Sequence, residues 1–327
     1  MKSFIKLAIY ALAFLVMLIT FFIFTFPASV VKESLIAHIA ANTPPSSAIA
    51  TSKIEISRIS LALPLGVHID GLSIPFSQGQ NREQEERLYF TKIQAGLRFW
   101  QLFTGHAGLW IDVERNNQEN LKVTLKLPFT QIIRGNPIPT NITFMAHNFT
   151  ITELLSFAMQ MYAKSPTANP LITPLLEQLR FQGQLKGNSE LSIANQSLTS
   201  LSGDISLELV NFRFESQDPN LIIPEQLFSK ALLKILARSG TINILEDTYF
   251  QSEQLSLGLN GSVTLDENTP QSKLALSIPL EMRGDILEKI GVLVEMALLS
   301  QQIDWQGKVR LNIAGNMAKP QISATSL

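Results

Sequence analysis

The chain contains no cysteine. Disulfides, thiolate metal sites and cysteine nucleophiles are excluded together. Charge is scarce as well: Asp, Glu, Lys and Arg make up 16% of the residues, against roughly 25% in ordinary soluble domains. Ser, Thr, Asn and Gln take their place, which gives polar faces without strong fields. The net charge is −1 and there is no run of Arg or Lys. With nothing to neutralise a row of phosphates, nucleic acid is excluded as a partner. His38, His68, His106 and His147 stand apart from one another, and none has a second ligand at metal-site spacing. His68 and Asp70 are two apart, a polar pair on one face of a half-exposed strand. A nucleophile elbow, a phosphate loop and a dinucleotide fingerprint are all missing. Asp285 and Glu288 have the spacing of a capping box, which accounts for both carboxylates. The chain therefore reads as non-enzymatic, without metal or cofactor.

What is present begins at the N-terminus. Residues 7–26, LAIYALAFLVMLITFFIFTF, carry no charge and match the length of a helix crossing about 30 Å of hydrocarbon. Thirteen of them are Leu, Ile, Phe or Val, which favours insertion by roughly 4–8 kcal/mol. A cleaved signal would have a shorter apolar run ending in a small-x-small site, and bulky Phe26 stands where a small residue is needed. Residues 1–27 thus read as a retained anchor, with Leu7, Leu15, Phe22 and Phe26 facing lipid. Lys2 and Lys6 precede the run and no basic residue follows it immediately, which puts the N-terminus in the cytoplasm. The rest of the chain then lies beyond the membrane, in a bacterium the periplasm.

After Pro27, ASVVKESLIAHIAAN reads as a short collar helix with Val31, Leu35 and Ile39 on one face. Strand-like sequence then dominates. KIEISRISLAL, GVHIDGLSI, GHAGLWIDV, NLKVTLKL, ISLELVNFRF, QLSLGLNGSVTL, KLALSIPL and GKVRLNI alternate apolar and polar residues between Gly, Asn and Pro. Many short runs of period two predict antiparallel sheet with one apolar face. Helical runs are expected in TITELLSFAMQMYAK, IPEQLFSKALLKILARS and GDILEKIGVLVEMALLS. The fold class is accordingly mostly β with a few helices: an anchor followed by a curved, largely antiparallel sheet body with short packing helices.

The Pro-rich stretch around 163–174 divides the body into a first lobe, 28–168, and a second, 169–327. LRFQGQL at 179–185 and IDWQGKV at 303–309 both follow a helical run and both contain Gln-Gly, which suggests two passes through one helix-then-hairpin unit. The apolar strand faces are the remaining signal. Tyr89, Ile93, Leu97 and Phe99 are expected on one face, joined by Leu109, Ile111 and Val113, and in the second lobe by Phe181 and Trp305. Four large side chains per face are worth roughly 6–12 kcal/mol when buried. Two readings fit: sheet packed on sheet or helix as an ordinary core, or an open groove lined for acyl chains.

The layout resembles the protein N family of bacterial type II secretion systems and, more distantly, AsmA-like envelope proteins. The residues that carry the resemblance are the N-terminal span with FPASVVKESLIAHI after it, KIEISRISLALPLGVHIDGLSI, LRFWQLFTGHAGLWIDV and the closing GKVRLNIAGNMAKPQIS. The chain is longer than the compact members of the secretion family. The resemblance implies a single-pass inner-membrane protein with a β-rich periplasmic body that serves, without catalysis, as a component or assembly factor of the secretion apparatus. Its partners would be the membrane and other apparatus proteins. The AsmA side implies phospholipid handling instead.

Overall fold

A segment of alternating apolar and polar residues has one face that must leave water and a backbone that must find partners. Returning at once to pair with the preceding segment meets both needs, and that is what the chain does. The computed structural model describes residues 17, 27–41, 54–62, 66–77, 85–116, 118–134, 138–163, 179–216, 225–288 and 307–326. The expected span at 7–26, with Leu7, Leu15, Phe22 and Phe26, lies outside these residues except for Met17; so does Trp305. Among the described residues no helix is long and apolar enough to cross a membrane.

After helix α1 (Ala28–Ala41) come β1 (Glu55–Ala62), β2 (Gly66–Ser77), β3 (Glu85–Arg98), the helical turn α2 (Phe99–Leu102), β4 (His106–Asn116) and β5 (Glu119–Pro128). The short helix α3 (Phe129–Arg134) leads to β6 (Asn141–Thr150), α4 (Thr152–Ala163), β7 (Leu179–Ile193) and β8 (Leu201–Ser216). The remainder is β9 (Gln226–Leu227), β10 (Lys230–Arg238), β11 (Thr241–Ile244), β12 (Tyr249–Gln251), β13 (Leu255–Gly258), β14 (Asn260–Thr264), β15 (Lys273–Met282), β16 (Lys308–Asn316) and β17 (Lys319–Ser326).

All these strands belong to one sheet, and every pairing is antiparallel and between neighbours along the chain. The pairs β9/β10, β11/β12 and β13/β14 each act as one interrupted strand, because both members face the same neighbour. The sheet is thus a meander of fourteen ranks, about 60 Å along the ladder at 4.8 Å per rank. The expected lobe boundary at 168/169 falls between β6 and β7, which pair directly with each other. The two lobes share one sheet.

One expectation fails. SKALLKILARS, expected as helix, forms β10. Its Ala, Leu and Lys favour helix locally, but Ala231, Leu233, Ile235 and Ala237 also satisfy period two. The ladder with β8 on one side and β11 on the other decides between them.

The apolar set changes parity partway along the strands. In β1 the residues of the apolar cluster are Ile56 and then Ile59, both buried; in β2, buried Ile74 and Leu72 and then half-buried Ile69; in β3, buried Leu88 and Phe90 and then half-buried Ile93. The same step occurs in β6 between Ala146 and Phe149, and in β8 between Leu209 and Phe212. At three of these breaks sits a residue with left-handed backbone: Gly71 at φ 61°, Asn148 at φ 47° and Asn211 at φ 51°. Gly and Asn are the residues that enter this region at least cost. The result is a transverse crease across the sheet.

The β4–β5 hairpin stops at this crease while β3 and β7 continue past it. Helix α4 contacts both β3 and β7 and so crosses the notch below the hairpin. Arg115, buried at the end of the hairpin, holds it there. Its guanidinium donates to the carbonyls of Tyr89 at 3.1 Å and Thr150 at 3.0 Å, and pairs with Glu153 Oε2 at 2.7 Å. Leu154, Leu155 and Phe157 of α4 pack into the main apolar cluster beside Val31, Leu35 and Ile36 of α1.

Burial raises the pKa of Glu153. The hydrogen bond from Arg115, its own backbone amide and the Arg115 charge outweigh burial and leave the carboxyl below its ordinary 4.5. The folded state therefore binds this proton less tightly than the unfolded chain, and the pair stabilises fully above pH 4.5. That contribution should fall away as the pH drops from there through the lowered folded value. Arg115→Met should cost about 2–3 kcal/mol in thermal unfolding, less than the loss for a fully buried pair, because Glu153 keeps 32% of its side chain exposed. In the variant the acid-side slope should flatten.

Candidate apolar binding face

Register, rather than any single residue, builds this face. A row starting at Leu61 runs through Val67, Ala95, Ile111, Val123 and Phe144. It continues through Ser189, Ile205, Ile235 and Ile244 to Gly261, Leu276, Ile313 and Ile322. It crosses all fourteen ranks with only Ser189 and Gly261 departing from apolar residues. Gly261, at φ 118°, has no room for a side chain, since a Cβ would stand 2.1 Å from the Ala275 carbonyl. A second row, from Leu97 through Leu109, Leu125 and Ile142 to Leu191, runs alongside.

The opposite face carries the charge. Lys122 lies 3.6 Å from Asp112, Lys234 bonds Asp247, and Arg213 pairs with Glu225 at 2.8 Å. No ionisable residue interrupts either apolar row. The arrangement can therefore take up hydrocarbon but offers no nucleophile, base or anion hole. Among the described residues no three His, Asp or Glu side chains gather as a metal site.

Of the residues expected on the face, Ile93, Leu97, Leu109 and Val113 are half-buried there and Ile111 is 41% exposed. Tyr89 departs from the expectation: it is 48% exposed between buried Leu88 and Phe90. The parity step at the crease turns it to the other side. Phe99 departs too, because β3 ends at Arg98 and Phe99 begins α2. Phe181 belongs to a ring cluster, with centroids 6.0 Å from Phe212 and 6.1 Å from Phe214; Phe228 closes it at 5.3 Å from Phe212. That cluster is packed core at the crease end of the face.

The two Gln-Gly glycines occupy equivalent places. The Gly183 carbonyl accepts from Ile151 N at 3.1 Å, one residue before α4. The Gly307 carbonyl accepts from Met282 N at 2.9 Å, two residues before the helical turn at 284–288. In both passes a strand enters a helix and returns as the paired strand through a glycine clasp.

Sequence reading missed the crease. An open cavity of about 570 Å³ lies on it, lined by Thr91, Asn116, Gln118, Glu119, Asn148 and Gln184. Its one carboxylate is engaged: Glu119 accepts from Thr150 N at 3.1 Å and from Asn116 Nδ2 at 3.1 Å. The signal that could have found the crease is the change of apolar parity with Gly or Asn at the step. Because Asn211 is exposed, a substitution there tests the backbone alone. Asn211→Val should cost about 1–2 kcal/mol in unfolding, while Asn211→Gly should be nearly neutral. No family model, curated protein or solved structure matches this chain.

Proposed function

We propose that the protein is a non-enzymatic carrier, tethered to a bacterial inner membrane by residues 7–26, whose apolar sheet face holds lipid acyl chains in the periplasm. The observation that carries this reading is the register row, apolar at all but Ser189 and Gly261 and half-exposed along most of its length. A core face of the same composition would be covered. Among the described residues, helices pack into the main apolar cluster only from α1 and α4.

Curvature of the sheet supports the reading further. Leu179 and Phe214, on β7 and β8, pack into the same cluster as Leu280, Met282 and Val309 of β15 and β16, together with Ile286 of the helical turn. Five ranks separate β7 from β15, about 24 Å along a flat ladder. Contact over that span fits a face that bends toward itself at this end. Each methylene taken from water contributes about 0.8 kcal/mol, so half-covering a ~16-carbon chain contributes on the order of 6 kcal/mol.

The reading as a secretion-apparatus component rests on a different observation. The outer edge of β17 pairs with no described strand, and Ile322 on it is exposed. Lys319 and Pro320 guard one end of this strand, and the edge at Ile322 offers backbone groups to an added strand.

Purification of the full chain in detergent, exchange into a lipid-free polymer and mass spectrometry of the extract would separate the two readings. The carrier reading expects about one or more phospholipids retained per chain. Ile111→Asp should lose most of them, and Ser206→Asp, on the opposite face, should keep them. Retention equal to that of a membrane protein with no groove, unchanged by Ile111→Asp, would reject the carrier reading and favour the edge-paired one.

A further inference from the structure

Two connections at one end of the sheet expose an apolar cluster unrelated to the strand faces. In the β3–β4 connection Trp100 is 80% and Phe103 72% exposed, with ring centroids 5.9 Å apart. In the β5–β6 connection Ile133 is 76% exposed, and Phe129 and Ile132 are also exposed. The connections form one tip. Phe129 N donates to the Gly105 carbonyl at 3.0 Å, and His106 pairs with Pro128 in the ladder beneath.

The exposed apolar side chains of these two short helical turns belong to neither core cluster. Their surroundings say what they meet. No Asp or Glu occurs at 93–111 or 123–152, whereas Arg98, Lys126 and Arg134 do; Lys122, further from the tip, is paired with Asp112. A Trp and Phe tip whose two connections carry Arg98, Lys126 and Arg134 and no carboxylate matches the interface of an anionic bilayer, where the rings sit at headgroup level and the cations meet lipid phosphates. A protein partner would demand no such exclusion of acidic residues.

The tip also lies at the opposite end of the strands from α1. Lys32 of α1 donates to the Ile56 carbonyl at 2.7 Å, near the beginning of β1. The tip stands beyond the opposite end of the strands, next to Arg98 and Pro128. We infer that the Trp100–Phe103 and Phe129–Ile133 turns form a bilayer-inserting tip, a membrane foothold separate from the N-terminal apolar run. This inference stands without the carrier reading.

The lack of native cysteine makes the test direct. Phe103→Cys, Ile133→Cys and, at the far end of the β4–β5 hairpin, Gln118→Cys would each carry a single fluorophore on the full chain. Each would be reconstituted in vesicles of phosphatidylethanolamine and phosphatidylglycerol. Spin-labelled lipid should quench the labels at 103 and 133 about threefold or more over the label at 118, as expected for interfacial depth. Aqueous iodide should show the reverse order. Dilution of the vesicles separates insertion into the same bilayer, which persists, from insertion into a second, which falls. Replacing phosphatidylglycerol by phosphatidylcholine should weaken lipid quenching, and Arg98→Glu with Lys126→Glu should do the same. Iodide quenching at 103 and 133 equal to that at 118 would overturn the proposal. So would shielding from both quenchers, which would mean that protein covers the tip.

Discussion

Everything in this structure depends on keeping one side-chain phase through successive antiparallel pairings. A strand shifted by one residue turns its whole apolar set to the wrong face. With fourteen ranks in series, such an error would break the face in two. The row from Leu61 to Ile322 shows that phase is held from first strand to last. It is held locally, because each rank is registered against the one before it, by short turns such as Ser239–Gly240 between β10 and β11 and Met317–Ala318 between β16 and β17.

At the crease the phase is reset. Gly71, Asn148 and Asn211 supply the left-handed residues that let the apolar set change parity without breaking the ladder. The notch left by the short β4–β5 hairpin then needs a cover, and α4 provides it. Arg115 joins the two parts, reaching strand β3, the end of β6 and the first turn of α4 from one guanidinium. The pair with Glu153 ties the first turn of α4 to the end of the hairpin.

Much of the fold was legible in the sequence. The strand runs, the collar helix and the helix at 152–163 follow from periodicity of two or 3.6, and the Gln-Gly echo pointed to what became the paired glycine clasps. SKALLKILARS was not legible, because its residues satisfy both periods and only the neighbouring strands decide. Tyr89 was misplaced for a related reason: an unbroken alternation was assumed across a position where the sheet changes phase. Of the candidate face, Ile93, Leu97, Leu109, Ile111 and Val113 could be read from the strands, but its continuity across ranks is a property of register that no single strand contains. The exposed tip escaped notice because FWQLF and FTQII are short runs that look, within the sequence alone, like ordinary strand ends.

The strictly neighbour-to-neighbour pairing has a consequence for how such a chain comes into being. Among the described residues no strand pairs with one made later than its immediate successor rank, so each finds its partner already delivered. A polypeptide fed N-terminus first through a translocation pore can zip up rank by rank as it emerges. Among the described strands only β1 and the newest one wait with an open edge, and loop-closure entropy is met in small instalments rather than at the end.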